Sequence, residues 1–249
     1  MNPNTRQRLH LLDALRGLTL ISMAAYHAMW NLVWLYGVQC PWYTGPLGYL
    51  WQQSICWTFI LLAGFCFSMS RNHIKRGLLV FLGGILVSLV THVLMPASQI
   101  TFGILTFTGS AVLLMTPAEK LLRKAPPLPG LMASAALFAL LRNVPKGQLG
   151  FEALVLGTLP ESMYRNDFTA YLGFPSRSFH SADYFPLIPW LFLFLCGWFL
   201  FRVFSARGWN EELFARGRFP VLNFLGRNSL IVYLLHQPIN YGLMELLLK

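Results

Sequence analysis

Residues 14–36 read ALRGLTLISMAAYHAMWNLVWLY, and this stretch decides what kind of protein the chain makes. After Arg16 there are 54 residues before the next Asp, Glu, Lys or Arg, at Arg71. A second charge-free block of 42 residues separates Arg76 from Glu119. A helix that crosses a bilayer needs about 20 mainly apolar residues, so each block has room for two crossings and a turn. The rest of the chain agrees. Of its 249 residues 55% are hydrophobic and 11% charged, against about 25% charged in an ordinary soluble domain. Mean hydropathy is +0.53. These figures exclude a water-soluble globule and predict an all-α fold, a polytopic membrane helix bundle.

The charge-free windows predict about seven transmembrane helices, at about 14–36, 47–69, 77–95, 102–117, 129–144, 184–202 and 221–247. The fifth is short and follows Pro126, Pro127 and Pro129. Pro238 is expected to kink or split the last, because proline removes a helix donor and clashes with the preceding turn. Seven crossings place 14 Lys and Arg on the side of the N-terminus and 5 on the other. Positive residues stay in the cytoplasm, so the N-terminus is expected there. The net charge of +10 thus orients the chain in a bilayer. No basic–aromatic alternation accompanies it, and no nucleic-acid partner is expected.

The long polar connection, about 145–183, falls on the external side of a single integral-membrane domain spanning 1–249. No internal repeat supports an inverted-repeat transporter. Asp13 and Arg16 interrupt what would be the apolar core of a cleaved signal peptide, so the first segment is expected to remain as a helix. Cys40, Cys56, Cys66 and Cys196 include no CxxC pair and read as small buried hydrophobes.

Ionisable groups inside a bilayer are costly and mark function by default. In the first helix Asp13, Arg16, Leu20, Met23, His27 and Asn31 are spaced 3, 4, 3, 4 and 4, which keeps them on one face. His27 lies ~16 Å along the axis from Arg16 at 1.5 Å per residue, near mid-membrane. In the last helix Ser229, Tyr233, His236 and Asn240 are spaced 4, 3 and 4, again one face. His236 lies roughly 13 Å from Arg227, so two histidines from opposite ends of the chain reach similar depth. No metal is expected, because neither helix carries a carboxylate near that depth.

The run Leu11-Leu12-Asp13-Ala14-Leu15-Arg16-Gly17-Leu18, followed by His27, resembles the opening of the transmembrane acyltransferase superfamily, in which an Arg, ten residues and a His mark the first helix. The run Leu225-Gly226-Arg227-Asn228-Ser229 through Tyr233 to His236 is similar to that superfamily's terminal helix. The closest resemblance is to bacterial proteins of the heparan-alpha-glucosaminide N-acetyltransferase catalytic-domain family. It extends to Gln52-Gln53-Ser54 and to the region from Asp183 to Trp190. The lysosomal enzymes of that family carry Asn where this chain has His27, and their histidine lies further on.

The resemblance implies an acyltransferase in a cell membrane, the bacterial inner membrane, that moves acetyl from cytoplasmic acetyl-CoA to an amino sugar or other glycan outside. His27 is suited to act as general base on the acceptor or to carry the acetyl group itself. Asn31, Tyr233 and His236 are candidates to orient it or to polarise the thioester carbonyl. Arg16, Arg71, Lys75, Arg76, Lys120, Arg123 and Lys124 are candidates for the CoA phosphates. Trp190 and the connection 145–183 would offer aromatic surfaces to sugar rings. A transporter or flippase using the same polar face is the alternative, and the sequence leaves monomer and homo-oligomer both open.

Overall fold

The computed structural model describes residues 9–70, 72–208 and 219–248. The helices are α1 (His10–Trp34), α2 (Pro41–Thr44), α3 (Pro46–Phe65), α4 (His73–Leu94), α5 (Ile104–Leu122), α6 (Pro127–Leu141), α7 (Leu187–Ala206), α8 (Pro220–Arg227) and α9 (Ser229–Leu248). The chain divides into two compact units, Met1–Phe59 with Gly208–Lys249, and Ile60–Arg207. The boundary falls inside α3.

The first unit is built on α1. The face marked by the sequence spacing is the buried one: Leu20 is 1% exposed, Met23 4% and Asn31 1%. Leu20, Met23 and Ile55 form a core against which Trp51, Phe59, Leu225, Val232 and Tyr233 pack. The short helix α8 lies against the start of α1 at backbone contact. A Cβ on Gly17 would stand 2.1 Å from the Leu222 carbonyl oxygen, and one on Gly226 1.9 Å from that of Asp13. Only glycine permits this crossing. Asn223 Nδ2 donates to the carbonyl of His10 and ties the two helices together.

In the second unit α4 and α5 pack antiparallel, with Gly84 against Thr106 and Gly109 against Phe81. The start of α4 and the end of α5 therefore lie at one end of the pair. Helix α7 joins them there through Arg202, whose guanidinium donates to the carbonyls of Leu122 (3.2 Å), Ala125 (2.9 Å) and Arg123 (2.9 Å). These carbonyls lie at or just beyond the last turn of α5, where helix acceptors lack intrahelical partners. The same guanidinium stands 4.9 Å from the Trp198 ring centroid.

Among the described residues three helical stretches are long and apolar enough to cross a membrane: His73–Leu94, Pro127–Lys146, which is α6 with the single turn Val144–Lys146 that follows it, and Leu187–Ala206. Helices α1, α3, α5 and α9 run 25, 20, 19 and 20 residues and are less apolar over that length. The all-α reading and the multi-pass membrane setting hold. The last predicted helix, 221–247, is divided, but not at its proline. Of the two outcomes expected at Pro238, a kink or a split, the split does not occur, since α9 runs from Ser229 to Leu248. The break comes earlier, at Asn228, whose side chain donates back to Phe224 O.

The connection 145–183 carries secondary structure of its own. It holds an antiparallel hairpin, β1 (Gln148–Phe151) with β2 (Leu154–Thr158), and single turns at Glu161–Tyr164 and Thr169–Tyr171. Asn143, wholly buried, anchors the hairpin by donating from Nδ2 to Glu152 O at 2.9 Å. At the far end Asp183 Oδ2 accepts from the backbone N–H of Ile104 at 3.1 Å, capping α5 from a distance. Burial pushes this carboxyl up to about 6.

Candidate functional site

Helices α1 and α9 place the predicted polar residues against one another in the first unit. The rings of His27 and His236 meet edge to face, centroids 4.9 Å apart. Tyr233 is 5.3 Å from His236, and Tyr26 is 5.8 Å from His27. The two histidines are 209 residues apart in sequence, and only the packing of the two helices brings them together. His236 is 8% exposed. Its Nδ1 bonds to the Tyr233 carbonyl, and its Nε2 is buried with no hydrogen-bond partner among the described residues.

One helical turn beyond His27, Asn31 meets Gln237 in a reciprocal amide pair. Asn31 Nδ2 donates to Gln237 Oε1 at 3.4 Å, and Gln237 Nε2 donates back to Asn31 Oδ1 at 3.3 Å. Asn240 Nδ2 donates to Ala24 O at 2.8 Å. These bonds fix the rotation of α9 against α1, and so fix which faces the two histidines present. Sequence reading passed over Gln237; its only signal was an amide next to His236 in an apolar helix.

An aromatic cluster continues from His27. Tyr26 packs on Trp51 (5.3 Å) and Tyr43 (5.0 Å), and Trp51 stacks with the half-exposed Trp42 (6.1 Å). Trp51 Nε1 donates to Ser22 Oγ at 2.8 Å, and Tyr43 OH donates to Tyr26 O at 3.1 Å. Burial first, and then the neighbouring Tyr26, push the Tyr43 phenol up, which keeps it a donor.

Arg16, at the other end of the α1 face, pairs with Asp13 at 3.5 Å, both side chains 17% exposed. The remaining basic candidates belong to the second unit. Lys75 and Arg76 lie in the first turn of α4, and Lys120, Arg123 and Lys124 at the end of α5. By the antiparallel packing of these helices all five share one end of that unit. Arg123 is paired with Glu119 at 2.9 Å. Arg71 lies outside the described residues.

Trp190 does not present an aromatic surface. It is 4% exposed, with the Arg142 guanidinium 4.7 Å above its ring and Phe185 and Phe138 packed on it at 4.8 and 5.8 Å. A large ring at the start of an apolar helix is worth more in the core than at a surface, and here the core takes it. Among the described residues no group of three or more His, Cys, Asp or Glu side chains could hold a metal ion.

No curated protein and no solved structure is significantly similar to the chain. The family described as "Heparan-alpha-glucosaminide N-acetyltransferase, catalytic" matches residues 8–238, which takes in both histidines and everything between them. That match decides for acyl transfer over solute transport. The chain belongs to the heparan-alpha-glucosaminide N-acetyltransferase catalytic family, and is a multi-pass membrane enzyme with acetyl-CoA-dependent acetyltransferase activity.

Proposed function

We propose that this enzyme carries acetyl from acetyl-CoA on the cytoplasmic side to an amino sugar or glycan on the outer side, with the chemistry at the His27–His236 pair. The observation that carries the reading is the 4.9 Å contact between those rings, both of which lie within the residues that the family match covers. Acyl transfer needs a thioester held beside a nucleophile whose proton can leave. Two imidazoles in contact supply both a proton acceptor and a group able to carry acetyl, so direct transfer and an acetyl-His27 intermediate both fit. Asn31 and Tyr233 position the pair, through the amide bonds to Gln237 and the ring contact with His236.

The topology proposed with this chemistry has seven crossings in one integral-membrane domain, a cytoplasmic N-terminus and the connection 145–183 outside. The Lys and Arg asymmetry supports it. So does the gathering of Lys75, Arg76, Lys120, Arg123 and Lys124 at one end of the second unit, where they suit the phosphates of CoA. Arg16, on the histidine face of α1, and Arg71 complete the proposed donor set. The bacterial inner membrane suits this arrangement, with lipid and the two substrates as the proposed partners. Monomer and homo-oligomer fit it equally.

The test is CoA release by the purified protein in lipid nanodiscs, with glucosamine present or absent. Amine-stimulated release by the wild type, lost in a folded His27→Ala variant, is expected. Wild-type release by both His27→Ala and His236→Ala would overturn the site.

A further inference from the structure

The two histidines of the pair are not equivalent, and the difference lies in what holds each ring. His236 Nδ1 bonds to the carbonyl oxygen of Tyr233, one turn back in α9. A carbonyl can only accept, so Nδ1 must carry the hydrogen. In a neutral imidazole the other nitrogen then bears the lone pair. That nitrogen, Nε2, is buried and has no hydrogen-bond partner among the described residues. Buried polar atoms left without a partner are few in folded proteins, and each one asks for a reason. Here the ring is held in one tautomer and packs against the ring of His27, in a helix fastened to α1 through Asn31–Gln237 and Asn240–Ala24.

Resting on the reading of the pair as the acyl-transfer centre, we infer that His236 Nε2 is the atom that takes the acceptor's proton. The base role expected of His27 therefore passes to His236, and His27 is left to contact the acetyl group. In the step, the lone pair of the acceptor amine forms the C–N bond at the thioester carbonyl, and the amine proton passes to Nε2. The C–S bond breaks with its electron pair leaving on the CoA sulfur, and the imidazolium returns its proton to that thiolate. The carbonyl of Tyr233 keeps its hydrogen bond throughout. It thereby holds Nε2 as the exchanging nitrogen, as the fixed partner of a general base does.

The test separates this role from a structural one. The amide of His236→Asn can still donate to the Tyr233 carbonyl, but nothing in it replaces Nε2. The variant is therefore expected to keep the wild-type melting temperature and acetyl-CoA binding while losing at least about 100-fold in turnover, the lower range for a lost general base. His236→Gly is expected to regain turnover when imidazole is added, and His27→Gly is not. Turnover by His236→Asn within about threefold of wild type, or imidazole rescue of His27→Gly alone, would overturn the assignment while leaving the pair as the site. Full activity of both His236→Asn and His27→Ala would instead overturn the site itself.

Discussion

The Asn31–Gln237 amide pair gives the sharpest test of how α1 and α9 are held. Its two hydrogen bonds are 3.4 and 3.3 Å long, beyond the usual 2.9–3.0 Å for N–H···O. Interhelical polar contacts in membrane proteins average about 0.6 kcal/mol, so two long bonds contribute about 1 kcal/mol together. Breaking the pair from one side costs more, because the amide left behind is stranded. Asn31 is 1% exposed, and a buried polar group without its partner costs about 1–3 kcal/mol. Gln237→Met and Asn31→Leu should therefore each destabilise the protein by about 2 kcal/mol. The double variant strands nothing and should cost no more than either single one, a coupling of at least about 2 kcal/mol. Reversible unfolding of the four proteins in bicelles measures this. Costs that simply add would refute the claim that the two side chains act as a unit, and with it the claim that they set the rotation of α9.

The remaining predictions concern one crossing and one carboxyl. Gly17→Ala places a methyl 2.1 Å from the Leu222 carbonyl, so α8 must move away; a loss of about 1–3 kcal/mol is expected from overpacking, and an unchanged melting temperature would show that the crossing is looser than described. Asp183 is pushed up to about 6 from 3.8 by burial, so its contribution to stability is full below about pH 4 and is lost as the pH rises through about 6. Two pK units correspond to about 3 kcal/mol; Asp183→Asn, which retains an acceptor for Ile104 N–H, should flatten that slope in thermal melts between pH 4 and 7, and an unaltered slope would assign it to other groups.

The sequence by itself determined the membrane setting, the helical class and the face of α1 that is buried. Each of these follows from composition and local periodicity, which act along a single segment: a charge-free run must leave water, and residues three and four apart must share a helix face. Arg16, His27 and Asn31 were legible as one stripe for that reason. The similar depth of His27 and His236 was legible as well, from their distances to the nearest arginines.

Tertiary structure alone decided which residues touch. Nothing in the spacing of α9 says that Gln237 rather than Tyr233 would meet Asn31, since that depends on the rotation of one helix about another. The tautomer of His236 depends on its rotamer and on one carbonyl. Trp190 looked like a surface and is core, because Arg142, Phe138 and Phe185 close over it. The last predicted helix is split at Asn228, where a side chain competes for a helix carbonyl, and not at Pro238. Periodicity assigns a face to each helix, but the partner of that face is chosen by close approach. In the first unit that approach is set by Gly17 and Gly226, whose missing side chains let two backbones meet.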